Sequence, residues 1–72
     1  GIIEEFQKVL TEKMNLSISD ADKNVIRKRL EHHKECMEQG DIVIAFYGDA
    51  NISLECESCY EVILDSDIIA LE

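Results

Sequence analysis

Apolar residues recur at helical spacing in the first part of the chain, and polar residues fill the positions between them. The apolar positions three or four residues apart are Ile2, Ile3, Phe6, Leu10 and Met14. This pattern predicts an amphipathic helix over residues 2–14. Asn15 is a suitable stop, because asparagine tolerates the left-handed backbone conformation in which many helices end.

A second amphipathic helix is predicted from Asp20 to Gln39. Ser19 is a good N-cap for it, and Gly40 is suited to the position that follows a helix. The apolar face of this helix carries Ile26, Leu30, His33 and Met37, with Val25 and Cys36 on its flank. Charged residues fill the other face, so the helix should pack one side against a core.

The pattern changes after Gly40 from helical spacing to the alternation of strands. Residues 41–47 are rich in β-branched and aromatic residues, residues 48–51 resemble a turn, and apolar residues alternate with polar ones from Ile52 onward. One strand through residue 64 would extend about 43 Å. A domain of this size is only about 29 Å across. We therefore expect a break near residues 57–58, with strands at 52–56 and 59–65.

These elements predict an α+β fold, in which two N-terminal helices pack on a small three-stranded antiparallel sheet. The 72 residues, 46% of them apolar, should form one domain over 1–72. Leu71 and Glu72 resemble the remnant of an affinity tag and are left out of the fold prediction. The chain has no apolar run near the roughly 20 residues of a membrane helix and no signal-peptide pattern. We therefore expect a cytoplasmic protein.

Four residues in two separate segments are candidate metal ligands. His33 and Cys36 lie three apart on the second helix, and Cys56 and Cys59 have the C-x-x-C spacing. Three thiolates and an imidazole are a ligand set for a closed, tetrahedral zinc site. His32 is an alternative to His33, since it lies four residues before Cys36, although His33 lies nearer the predicted core.

The segment from Leu54 to Leu64, with its C-x-x-C, resembles the knuckle of zinc-ribbon-like domains. The resemblance covers only half of a ribbon motif, and it implies a structural zinc ion. Such knuckles usually carry a glycine directly after the second cysteine, where the backbone takes a positive φ. Tyr60 occupies that position here.

Two other interpretations of the cysteines stay open. In a metal-free domain, Cys36 would be a small buried apolar residue. Cys56 and Cys59 would then point to opposite faces of one strand. In a thiol-redox protein, one of the two would be a reactive thiolate. The neighbouring glutamates at positions 55, 57 and 61 should raise both thiol pKa values, which disfavours that role.

The charge of the chain is −9, and all seven Lys and Arg residues lie before residue 41. Such a charge repels nucleic acid, so a partner protein with a basic surface is expected, and direct nucleic-acid binding is not. The sequence shows no catalytic motif. We expect a non-catalytic, zinc-stabilised protein-binding or regulatory module. The alternatives are a DNA mimic or weak nucleic-acid binder, and a homodimer could form through an exposed strand edge.

Overall fold

The structure is a computed structural model, and it describes residues 1–48 and 51–71. Helices pack on a three-stranded antiparallel sheet of order β1-β2-β3, which confirms the predicted α+β class. The elements are α1 (Ile2–Met14), α2 (Asp20–Leu30), a 3-10 turn (Glu31–His33), α3 (Lys34–Glu38), β1 (Ile42–Tyr47), β2 (Asn51–Cys56), β3 (Glu61–Asp65) and α4 (Ser66–Leu71).

Helix α1 and the start of α2 lie where the sequence places them. Asn15 ends α1 in the left-handed conformation, with φ 54° and ψ 37°. The Ser19 hydroxyl accepts a hydrogen bond of 3.1 Å from the Asp22 amide and caps α2. Gln7 accepts a hydrogen bond of 2.7 Å from the Ile18 amide, which fastens the link between the helices to α1.

The prediction of one continuous helix from Asp20 to Gln39 is wrong. The helix is interrupted by the 3-10 turn, where His33 has φ −128° and ψ 30°, and α3 ends at Glu38. The interruption turns the following residues away from the face of α2, and Met37 is 43% exposed instead of buried. Val25, at 36% exposure, lies at the edge of the buried face, in agreement with its predicted position on the flank.

The sheet contains an irregularity that simple alternation does not predict. Leu54 pairs with Leu64, but Glu55 pairs with Val62, so Ile63 is an extra residue in β3. Both Ile63 and Leu64 are buried, whereas Val62 is 52% exposed although alternation assigned it to the core. In the predicted turn between β1 and β2, Asp49 and Ala50 lie outside the described residues.

Helix α4 was not predicted, and it includes Leu71, which the sequence analysis set aside. The buried Ser66 hydroxyl accepts a hydrogen bond of 2.9 Å from the Ile52 amide, which joins the start of α4 to β2. Ile69 on α4 is buried in the main core. The short helix therefore belongs to the packed fold.

The core lies between the helices and the sheet. Its fully buried side chains are Phe6, Leu10, Ile26, Leu54, Cys56 and Ile63. Because Cys56 is the last residue of β2, the core extends to the end of the sheet beside α3. None of the helices in the described part of the chain combines the length and hydropathy that a bilayer crossing requires.

Candidate metal centre

The 3-10 turn positions the first pair of candidate ligands. His33 is the last residue of this turn and the N-cap of α3, and its side chain is buried at 4% exposure. Cys36 follows on α3 and packs against the core in a half-buried position. His32 is exposed and lies outside the group of candidate ligands. The structure therefore places His33, and not His32, beside the three cysteines.

The second pair lies on the tight connection between β2 and β3. Cys56 is the buried last residue of β2, and Cys59 is exposed in the turn before β3 begins at Glu61. The two cysteines are therefore not on one continuous strand, and the interpretation that places them on opposite faces of such a strand is wrong. Tyr60 has φ 59°, the left-handed conformation that a glycine usually adopts at this position of a knuckle.

Asp41 joins the two ligand segments through its backbone. Its amide donates a hydrogen bond of 2.8 Å to the Cys36 carbonyl, and its carbonyl accepts one of 2.9 Å from the Glu57 amide. The end of α3 is thereby fixed to the connection that carries Cys56 and Cys59. The sequence analysis missed this residue, since its role depends on the path of the chain.

The ligand atoms of His33, Cys36, Cys56 and Cys59 all lie within 4.8 Å of one another. The Cys36 and Cys59 sulfurs are 3.7 Å apart. Two thiolates bound to one tetrahedral zinc ion at 2.3 Å are separated by about 3.8 Å. The structure thus brings together all four residues that the sequence singled out, and this group could hold a metal ion.

The imidazole of His33 is oriented by a residue that the sequence analysis did not identify as part of the site. Nε2 of His33 lies 2.9 Å from a carboxylate oxygen of Glu61. Nδ1 is buried and has no hydrogen-bond partner among the described residues. With Nε2–H donated to Glu61, the Nδ1 lone pair is free for a metal ion, as is usual for histidine ligands held by a carboxylate.

The surroundings of His33 raise its pKa above the ordinary value. The nearby Cys36 thiol is the largest cause of the raised pKa, burial opposes it, and the bond to Glu61 adds to the increase. A metal ion must therefore displace a more tightly held proton at this residue.

Ser58 lies between the sulfurs and changes their acidity. Its hydroxyl is 3.3 Å from Cys36 Sγ and 3.4 Å from Cys56 Sγ. Hydrogen bonding to Ser58 is the main cause that lowers the pKa of Cys56 to about 6, although burial opposes it. The neighbouring Cys56 and Cys36 raise the pKa of Cys59 to about 11. The expectation that the glutamates raise both pKa values is therefore wrong for Cys56, and the sulfurs account for the rise at Cys59.

The chain thus has an α+β fold and a group of three cysteines and one histidine whose ligand atoms lie close enough to share a metal ion. His33 and Cys56 are buried, Cys36 is half-buried and Cys59 is exposed. No protein-family model, no curated protein and no solved structure matches the chain. What the group does must be inferred from its geometry.

Proposed function

We propose that the chain is a small, non-catalytic module in which a structural zinc ion joins α3 to the β2–β3 connection, and which acts by binding another protein. The observation that carries the metal proposal is the approach of four ligand atoms, from two distant segments, to within 4.8 Å of one another.

The types of donor favour zinc over harder ions. Thiolate sulfur and imidazole nitrogen suit zinc in tetrahedral coordination, whereas calcium and magnesium prefer oxygen ligands. The unpartnered Nδ1 of His33 supports the same conclusion, because a buried ring nitrogen without a hydrogen bond is costly unless it binds something. Glu61 supplies the outer-shell carboxylate that orients such an imidazole.

Four protein ligands favour a structural role for the ion. A catalytic zinc site usually keeps one coordination position open for water or substrate, and here protein atoms would fill the tetrahedron. A bound ion would also stabilise a chain whose core is small for independent folding. Reduced thiols are needed to bind the ion, so we place the protein in the cytoplasm.

The distribution of charge supports a partner protein with a basic surface. Residues 41–72 contain eight acidic residues and no Lys or Arg. Among the described residues, only two carboxylates form ion pairs. Glu4 pairs with the amino terminus of Gly1, and Glu61 pairs with His33. Glu55 and Asp65 of the sheet are thus left without cations from the described part of their own chain, and a basic partner would supply them.

Metal content tests the first half of this proposal. Native mass spectrometry of protein purified without chelator should show one zinc ion per chain. His33→Asn should lose the ion, while His32→Asn, a matched change at an exposed neighbour, should keep it. Cys36→Ser and Cys56→Ser should lose it as well. Absence of zinc from the unaltered chain, or its retention in all three ligand variants, would overturn the metal centre.

Oligomeric state tests the alternative of a homodimer through a strand edge. Strand β1 is an edge of the sheet, and residues 42–47 include no charged residue to prevent pairing with another chain. Sedimentation at several concentrations should show a monomer if the partner is another protein. A stable dimer would instead identify a second copy as the partner.

A further inference from the structure

A groove of about 490 Å³ opens beside the connection between β2 and β3. Its walls combine two tyrosine rings, one valine and three carboxylates, namely Tyr47, Tyr60, Val62, Glu55, Glu57 and Glu61. Cys56 of the candidate metal centre also lines it. Val62 and Tyr47 are about half exposed, so the groove presents apolar surface to solvent. Its volume is ample for one long side chain of a partner.

Tyr60 is the unusual residue of this groove. It holds φ at 59°, a conformation that costs free energy for any residue with a Cβ atom. Its side chain is 94% exposed, so packing within the chain does not offset that cost. Among the described residues, the other positive-φ positions are held by Gly40, by Gly48 and by Asn15, a residue type that tolerates this conformation at a helix end. A strained, exposed tyrosine where glycine would fold more easily points to a role in binding.

In the described part of the chain, two of the three groove carboxylates, those of Glu55 and Glu57, lack cations, whereas Glu61 contacts His33. Glu55 accepts a hydrogen bond of 2.6 Å from the Tyr47 hydroxyl, which fixes both side chains at the wall. Among the described residues, neither Glu55 nor Glu57 forms an ion pair with a Lys or Arg. The groove therefore combines a negative electrostatic potential with exposed aromatic rings, and both attract a cation.

We propose that this groove binds an arginine side chain from a basic segment of a partner protein. The proposal deepens the protein-binding function proposed above and rests on it. A guanidinium group is planar, so it can stack on the ring of Tyr60 while its N–H groups donate to the carboxylate of Glu55. A lysine ammonium offers a point charge without that planar match. The groove should therefore prefer arginine to lysine.

A titration with short peptides tests this preference. Zinc-loaded, ¹⁵N-labelled protein is titrated with hexa-arginine and, separately, with hexa-lysine, and amide shifts are followed by NMR. We expect hexa-arginine to shift the amides of Glu55, Tyr60 and Val62, and to bind at least about threefold more tightly than hexa-lysine. Concentrated shifts on α1 or α2 instead would overturn the assignment of the groove.

Two variants and one matched control separate the groove from overall charge. Tyr60→Leu and Glu55→Gln should each weaken hexa-arginine binding by about threefold to tenfold. Glu12→Gln removes the same charge from an exposed position of α1 and should leave affinity unchanged. Equal losses in Glu55→Gln and Glu12→Gln, or equal binding of the two peptides, would show simple charge attraction and overturn the proposal.

Zinc content is measured on the same samples, so that the two proposals fail separately. Zinc-loaded protein without a preference for arginine would overturn the groove and leave the metal centre standing. A folded, zinc-free chain that prefers arginine would overturn the metal centre and support the groove.

Discussion

The contact between Glu61 and His33 provides the sharpest test of how the metal centre is built. The Glu61 carboxylate lies 2.9 Å from Nε2 of His33, and this bond would fix the ring and leave Nδ1 as the nitrogen available to a metal ion. Glu61→Ala removes the carboxylate and leaves all four candidate ligands in place. Zinc affinity should therefore fall, while the stoichiometry stays at one ion per chain.

The size of the loss follows from the exposure of the two partners. Changes to outer-shell carboxylates typically cost about 10-fold to 100-fold in metal affinity. The His33 side chain is 4% exposed, but Glu61 is 64% exposed, so water can partly replace the carboxylate as acceptor. We therefore expect the lower end of the range, about tenfold, which corresponds to about 1.4 kcal/mol.

Competition with a chromophoric chelator measures the affinity, and Glu57→Ala is the matched control. Glu57 lies on the β2–β3 connection, four residues before Glu61, and its exposed side chain forms no hydrogen bond or ion pair with His33. Its loss changes the local charge equally and should alter affinity by less than about threefold. NMR of the zinc-bound protein should show the Nε2–H tautomer of His33. Equal losses in the two variants, or an Nδ1–H tautomer, would refute the assigned orientation.

Three further outcomes are expected. Tyr60→Gly should raise the free energy of unfolding in urea by about 1 kcal/mol, because glycine adopts a positive φ without steric cost. Tyr60→Phe, which keeps the Cβ atom, is the control and should leave the free energy of unfolding unchanged. Ser53→Ala should not destabilise the chain, since the buried Ser53 hydroxyl has no partner among the described residues. By contrast, Ser66→Ala should lower the free energy of unfolding by about 1 to 2 kcal/mol, because it leaves the Ile52 amide unpaired. Equal changes in stability for the two serine variants would contradict this prediction. Zinc affinity, measured by competition, should fall as pH falls from about 8 to 5.5, because protons compete for His33, whose pKa is raised. Affinity that is independent of pH would contradict ligation by this residue.

The helical part of the fold was largely predictable because its signals are local. The spacing of apolar residues and the side chains of Asn15 and Ser19 set the bounds of α1 and the start of α2. The 3-10 turn was not predictable, since residues 31–34 contain neither glycine nor proline. In this turn His33 contacts Glu61, which is distant in the sequence, and no local pattern reveals such a contact.

The sheet was predictable in outline but not in register. Apolar alternation located the three strands, but the bulge at Ile63 depends on how β3 aligns with β2. Helix α4 escaped prediction because its residues, Ser66–Leu71, are too few to show a helical period. Its start is fixed by a hydrogen bond to Ile52, which no local pattern reveals.

For the candidate site, spacing identified the residue types but not their supports. The sequence alone shows one pair of candidate ligands three residues apart in a predicted helix and a second pair with the C-x-x-C spacing. The contributions of Asp41, Ser58 and Glu61 come from the approach of two segments in three dimensions. The preference for His33 over His32 rested on its nearness to the predicted core, and His33 lies in the group.

The pairing of Ile42 with Cys56 has a consequence for the rate at which this protein unfolds. These residues form the open end of the β1–β2 hairpin, and Cys56 lies in the metal-ligand group. Free strands begin to separate at such an end, so an ion held there would have to dissociate before the hairpin could unzip. Unfolding of the zinc-bound chain would then be limited by metal release, and its lifetime would depend on chelators more than on denaturant.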